Sequence, residues 1–291
     1  MSKNIAKRFI SGVLALASVT ACVATATACE TNYPEVQLTI SFNGEDYKLD
    51  YKLSRQVAPR TVAHFLWLAD NGYYDGLCVH NYNESTEIMY TGAYSYSEEG
   101  DLVYKEYYDV IKGYENFESF PVSVWAEKNK DNPLYTLAGE FKDNNFNVEN
   151  GSMRQTFGSL TMYYTDKNTT DEVAIEYLGE RKGEFAYRDY EYNSATSQFY
   201  ISLSDSSTRN NDYCTFAELK ESSEDVLEAF EEALETYIED NFDEENTDDT
   251  FTTNTSVTID ADDQFVDGKK TATYSVPSKP IVIKSVEVKK F

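Results

Sequence analysis

Histidine is almost missing from this chain, with only His64 and His80 in 291 residues, and cysteine is limited to Cys22, Cys29, Cys78 and Cys214. No CxxC, HExxH or His-rich cluster is present, so the sequence offers too few soft ligands for a zinc or other transition-metal centre, and neither a metal nor another cofactor is expected. If Cys22 is consumed by processing, three cysteines remain; that odd number does not form a disulfide framework, and Cys78 and Cys214 are expected as buried thiols in strands. Positive charge is also scarce. Lys and Arg total 25 against 51 Asp and Glu, a formal net charge of -26, which repels nucleic acid and excludes it as a partner. Tryptophan occurs twice, whereas there are 24 Tyr and 16 Phe, and 41% of residues are hydrophobic, enough for a real core. Tyr-rich strands account for this aromatic content more simply than a dedicated aromatic binding face.

The one long apolar run, Phe9 to Ala21, spans 13 residues behind Lys3, Lys7 and Arg8, and is too short for a permanent bilayer span. Its charge, length and small-residue flank are those of a signal peptide. Val19-Thr20-Ala21-Cys22 resembles the bacterial lipobox, in which the cysteine becomes the lipid-bearing first residue. Cleavage after Ala24-Thr25-Ala26 is the alternative, and Ala26-Thr27-Ala28-Cys29 is a weaker second lipobox. The expected organisation is a signal peptide over 1–21, a tether over 22–33 and one folded domain over 34–291, extracytoplasmic and held to the membrane through Cys22.

Val36, Leu38, Ile40 and Phe42 alternate with polar residues, Asn43-Gly44 supplies a hairpin turn, and Tyr47, Leu49, Tyr51 and Leu53 alternate again: two paired strands. Pro59 opens a helix, Val62, Phe65, Leu66, Leu68 and Ala69 give its apolar stripe, and Asn71-Gly72 closes it. Further β-like runs lie at 87–94, 157–164, 198–203, 213–219 and 280–288. A second helix starts at Ser222, with Asp225 completing a capping-box-like signal, and carries Val226, Phe230, Ala233, Leu234, Tyr237 and Ile238 on one face. Polar stretches near 95–132, 166–192 and 239–276 have the character of insertions, and Glu239 to Thr253 reads as an acidic, flexible excursion without EF-hand spacing. By themselves these patterns say mainly β.

Several strings in order resemble the cyclophilins, the peptidyl-prolyl isomerase family. Ala58-Pro59-Arg60-Thr61-Val62-Ala63-His64-Phe65-Leu66 and Gly72-Tyr73-Tyr74-Asp75-Gly76 are similar to the family's "APKTVANFL … GYYDG"; Gly139-Glu140-Phe141 and Asn144-Asn145-Phe146 to "GEF … NGF"; Gly158-Ser159-Leu160-Thr161-Met162 to "GxLSMA". Asn193 to Ile201 is similar to "NSAxSQFFI", Tyr213-Cys214-Thr215-Phe216 to "YTVFG", and Pro280 to Ile283 to the closing strand. The resemblance implies a closed eight-stranded antiparallel β-barrel capped by two α-helices, with the insertions added.

It also implies peptidyl-prolyl isomerisation of proline-containing polypeptide segments by a monomer that needs no cofactor. Rotation about an X-Pro bond faces a barrier of roughly 18 to 20 kcal/mol, and a catalyst must seat the proline ring and stabilise the twisted amide. The family's Phe-His-Arg falls on Val79-His80-Asn81, so the arginine is replaced by Asn81, while Gln198 keeps the residue that holds substrate backbone. Substrate-binding positions carried over from the family are His80, Ile88, Met89, Tyr90, Tyr163, Phe199, Tyr200 and Tyr213, with the family's Phe and Gln missing from the 86–92 stretch. His80 is read mainly as a core histidine bonded to backbone. Arg209 sits in a loop that borders the family pocket, either as a replacement cation or as an exposed loop charge. Without the arginine, turnover is expected to fall by ~10² to 10³. Two other functions compete: a non-catalytic peptide- or protein-binding lipoprotein on the same fold, and a surface interaction protein that uses the insertions.

Overall fold

The computed structural model describes residues 31–146, 153–164, 171–205, 211–243, 250–263 and 266–291, with the side chains of 260–269 left aside. Cys22, Cys29, the signal peptide and Arg209 therefore lie outside the described residues. In chain order the elements are β1 (Glu35–Phe42), β2 (Glu45–Leu53), α1 (Pro59–Asp70), β3 (Leu77–Cys78), β4 (Asn81–Asn83) and β5 (Ile88–Thr91). Next come β6 (Tyr94–Tyr96), β7 (Leu102–Tyr104), α2 (Tyr107–Lys112), β8 (Val124–Trp125), β9 (Leu160–Met162), β10 (Glu172–Glu176) and β11 (Phe185–Asp189). The chain finishes with β12 (Phe199–Ser202), β13 (Cys214–Leu219), α3 (Glu224–Asn241), β14 (Thr252–Asp263), β15 (Val266–Pro277) and β16 (Ile281–Lys290).

The β1–β2 hairpin forms where expected because Asn43 and Gly44 both accept positive φ, +49° and +91°, the backbone of a tight primed turn. From it grows a nine-stranded antiparallel sheet in the order β3-β16-β1-β2-β13-β9-β12-β5-β4. Its two edges are consecutive pieces of one stretch. Residues 77–78 pair with β16 and residues 81–83 with β5, while the Val79 N–H donates to Ile281 O at 2.9 Å and the His80 N–H to Tyr90 O at 3.0 Å. The sheet thus curls until consecutive segments of one stretch serve its two edges; nine segments are seen where a closed eight-stranded barrel was expected.

Phe65, Tyr74, Phe199 and Phe216 fill the inside of the curl, with ring centroids 5.0–5.4 Å apart in tilted and edge-on pairs. Such pairs add about 0.5–1.5 kcal/mol each beyond the area they bury. Helix α1 closes one end. It stops in a Schellman-type turn, with Gly72 at φ +66° and the Tyr73 N–H returning to Leu68 O at 2.9 Å. Its first turn is held by Glu140, whose buried carboxylate accepts the N–H groups of Arg60 (3.0 Å) and Thr61 (2.9 Å) and the Thr61 hydroxyl (2.8 Å). A residue 79 positions away thereby does the work of an N-cap.

The described parts of the insertions are folded. The segment from α2 to Phe120 lies over the outer face of α1, so His64 and Trp67 are buried as well as the expected apolar stripe; Phe120 packs edge-on against both His64 and Trp67. Strands β8, β10 and β11 form a small separate sheet with its own core of Val124, Val173, Ile175 and Tyr190. The expected acidic excursion is partly ordered: α3 runs on to Asn241, and Phe251 is buried against Tyr237 and Phe242 because these rings need cover from water. β14 and β15 pair as a long hairpin. The capping box at Ser222 does not form. Ser223 occupies the N-cap position of α3, and its hydroxyl instead accepts the Asp50 N–H at 2.9 Å, fixing the helix to β2. Cys78 and Cys214 are buried free thiols.

His64 is fully buried, with Nε2 2.7 Å from Thr196 O and Nδ1 unpartnered, and burial pushes its pKa down from 6.5 to about 4. The unfolded chain therefore takes up this proton first. His64's contribution to stability is complete above pH 6.5 and is lost as pH falls towards 4, amounting to about 3 kcal/mol in all. Urea denaturation at pH 7 and at about pH 4.5 should show His64→Gln losing ~2–3 kcal/mol less than the native chain across that interval. Equal losses in the two proteins would contradict the burial of a neutral imidazole.

Candidate functional site

Strand register brings the expected site residues together. Asn81 pairs with Tyr90, Tyr90 with Tyr200, Tyr200 with Thr161, and Thr161 with Thr215, one row across β4, β5, β12, β9 and β13. Because successive strand residues point to opposite faces, this row lies outside the curl while its neighbours point in. On the outer face Tyr90 meets Tyr163 and Tyr200, both at 5.3 Å between centroids, and Tyr200 meets Tyr213 at 6.1 Å. Tyr200 is the floor of this cluster, buried under its neighbours, and its hydroxyl accepts a hydrogen bond from the Gln155 amide. Tyr90, Tyr163 and Tyr213 remain half-exposed around it, with Ile88 on the Tyr90 side of β5. Burial raises the pKa of Tyr200 and, less strongly, of Tyr90 and Tyr213, so the face is a set of neutral phenols.

Phe199 and Met89 belong elsewhere. Both are fully buried inside the curl, Phe199 against Phe65 and Tyr74, and they build the core rather than a substrate wall. The fold places them by alternation: if Tyr90 and Tyr200 face out, the residue beside each must face in.

Close approach of β5 to the 197–198 backbone needs a glycine. Gly92 has φ +97°, and a Cβ there would lie 2.4 Å from Ser197 O. Ser197 secures the approach, donating its hydroxyl to Gly92 O at 2.6 Å. Gln198, next in the chain, is half-buried with its amide bonded to the His80 imidazole.

His80 is a buried residue wedged between Tyr94 (4.8 Å, tilted) and Tyr274 (5.0 Å, edge-on). Burial is the main cause of its pKa falling from 6.5 to about 3, against the smaller opposing effect of the Gln198 bond. It is neutral at ordinary pH, and it supplies neither a proton nor the charge of the missing arginine. Asn81 is engaged too. Its Oδ1 accepts the Ser275 N–H at 2.9 Å, and Tyr274, the residue before, puts its hydroxyl 3.2 Å from that of Tyr94. Strand β15 thus lies across β4 and covers the Asn81 end of the groove. Tyr274, Ser275 and Gln155 were not singled out from the sequence. The Thr-rich alternation of 252–259 and 270–276 was the available signal, since Thr on a period of two favours strands.

The arrangement supplies an aromatic seat for an apolar ring and one amide donor beside it, without a cation among the described residues assigned to the site. Nor does any group of three or more His, Cys, Asp or Glu among the described residues have the geometry to hold a metal ion. Residues 37–259 match the family described as cyclophilin type peptidyl-prolyl cis-trans isomerase/CLD. Two crystal structures of a cyclophilin type peptidyl-prolyl cis-trans isomerase from Cryptosporidium parvum are similar. One has 14% identity over 89% of this chain and 99% of that chain, with a TM-score of 0.41. The other, in the presence of the dipeptide Ala-Pro, has 15% identity over 88% and 99%, with a TM-score of 0.42. No curated protein sequence matches. The match across 37–259, most of the chain, establishes that it belongs to the cyclophilin-type peptidyl-prolyl cis-trans isomerase family.

Proposed function

We propose that the chain is a slow peptidyl-prolyl isomerase acting on extended, proline-containing segments, held outside the cytoplasm as a monomer by a lipid on Cys22. The observation that carries the catalytic part is the outer row Asn81–Tyr90–Tyr200, with Gln198 at its edge, on the strands where the family binds its substrate. Isomerisation needs no bond making, only preferential binding of the twisted amide. The Tyr90, Tyr163 and Tyr213 rings seat the prolyl ring, and the Gln198 amide holds the neighbouring carbonyl. Asn81 is short, neutral and already bonded to Ser275, so the charge-assisted donor that steadies the twisted amide in the family is missing. Loss of one such donor costs ~10² to 10³ in rate.

That bond also favours a second reading, in which the groove binds proline segments without turning them over. Exchange spectroscopy on an Ala-Pro peptide separates the two. The native chain should accelerate cis–trans exchange with kcat/KM ~10² to 10³ below that of an arginine-bearing cyclophilin, and Tyr200→Ala should lower it at least ~10-fold further. Binding with no acceleration establishes the second reading instead, and a Tyr200→Ala rate equal to that of the native chain removes the groove from both.

Support for the anchor comes from the sequence alone: the charged start, the 13-residue apolar run and the Val-Thr-Ala-Cys tetrad. No helix among the described residues is long and apolar enough to cross a membrane. Cys22→Ala should abolish incorporation of labelled fatty acid and move the protein out of the membrane fraction. Unchanged labelling, or a mature N-terminus beyond Ala26, would contradict acylation at this cysteine.

A further inference from the structure

A cavity of about 650 Å³, sharing no lining residue with the tyrosine face, opens between the residues leading into α1, the turn at 144–146 and the outer strands β10 and β11. Its volume is that of a small-molecule or short-peptide pocket. Val57, Phe146, Ile175 and Leu178 supply apolar wall, and three of the chain's seven arginines, Arg60, Arg181 and Arg188, line it. In a protein with twice as many acids as bases this is a local reversal of sign.

The charges around the cavity are unequally spent. Arg181 is paired with Glu184 at 2.7 Å, and the Glu176 carboxylate is taken by Lys130 and by the Gly183 N–H, both at 2.9 Å. Glu140, the buried acid nearest in the fold, is committed to the first turn of α1. Glu180 stands exposed at the rim. Arg60 and Arg188 are different: among the described residues neither makes an ion pair within 4 Å, and each donates to neutral carbonyls, Glu176 O for Arg60 and Asn144 O and Tyr187 O for Arg188, with the Glu140 and Glu176 carboxylates acting on Arg60 only through space. Arg60 is half-buried, with its guanidinium partly desolvated and 5.9 Å from the centre of the Phe146 ring. A guanidinium carries five donors in a planar fork, and one withdrawn from water with a carbonyl as its main partner gains most from a carboxylate, which it can grip with two parallel hydrogen bonds.

We propose that this cavity binds a carboxylate carried on an aromatic or branched apolar body, with the anion on Arg60 and Arg188 and the apolar part against Phe146, Ile175 and Leu178. That chemistry belongs both to a peptide C-terminus with a bulky last residue and to a free aryl acid. The site is separate from the tyrosine groove, and the inference does not depend on isomerase turnover.

The test is calorimetric and NMR titration of the full chain with three probes: N-acetyl-Ala-Ala-Phe with a free C-terminus, its C-terminal amide, and 3-phenylpropionate. Either carboxylate should bind with a dissociation constant below ~1 mM and shift amides in 57–60, 144–146 and 175–188, while the amide binds at least ~10-fold more weakly. A tripeptide preference assigns the site to peptide ends, and a preference for 3-phenylpropionate assigns it to small acids. Arg60→Gln should weaken the carboxylates at least ~10-fold. Should that variant fail to fold, Leu178→Glu, at an exposed wall position, places a negative charge in the cavity and should weaken them similarly. No binding of either carboxylate at ~10 mM, equal binding of acid and amide, or unchanged affinity in a folded Arg60→Gln or Leu178→Glu chain would overturn the proposal.

Discussion

Closure of the sheet through residues 77–83 is the constraint on which the rest of the molecule depends. The stretch pairs first with β16 and then with β5, and the exchange of partners takes place at Val79 and His80. Two sheet edges thereby draw on one stretch of chain, and the curl they hold is packed with aromatic rings. The same exchange decides the chemistry. It sets Asn81 opposite Tyr90, and Tyr90 opposite Tyr200, so the strand that closes the barrel also forms one end of the groove.

A cation at the end of such a groove must remain hydrated or paired until substrate arrives, because an unpaired buried charge is costly. Here that end is occupied by the hairpin. Tyr274 lies edge-on to His80, the Tyr94 and Tyr274 hydroxyls meet, and Ser275 bonds Asn81. An arginine in place of Asn81 would have to displace the hairpin or surrender its charge to a low-dielectric contact. A neutral amide, by contrast, fits because its oxygen accepts the half-buried Ser275 N–H. The asparagine and the hairpin form a structural joint at this end of the row, and the tyrosine face beside it stays accessible.

Much of the framework was legible in the sequence because its signals are local. Asn43-Gly44 fixes a turn within two residues, Pro59 and Gly72 bracket α1, and alternation from Val36 to Leu53 sets the register of the first hairpin. What escaped depends on contacts between distant parts of the chain. The Ser275 bond to Asn81 joins residues 194 apart, and the Glu140 cap reaches 79 residues back to α1. Ser222 and Asp225 carried a local capping signal that lost to the Ser223 bond with β2. Phe199 and Met89 were grouped with the groove because the family's motif runs through both faces of a strand, although alternation alone divides Phe199 from Tyr200. Asp and Glu dominate the insertions by number, yet their order comes from Phe120, Phe251 and Tyr274, scattered apolar anchors that no short motif announces.

The Ser275 N–H bond to Asn81 ties the hairpin to the end of the tyrosine row, and its donor can be followed directly. Amide hydrogen exchange at Ser275 should be strongly slowed in the native chain. In Asn81→Ala it should become fast at that residue, while the amides within β1 and β2 keep their protection. Fast exchange at Ser275 in the native chain, or protection unchanged by the substitution, would show that the hairpin does not close this end of the groove.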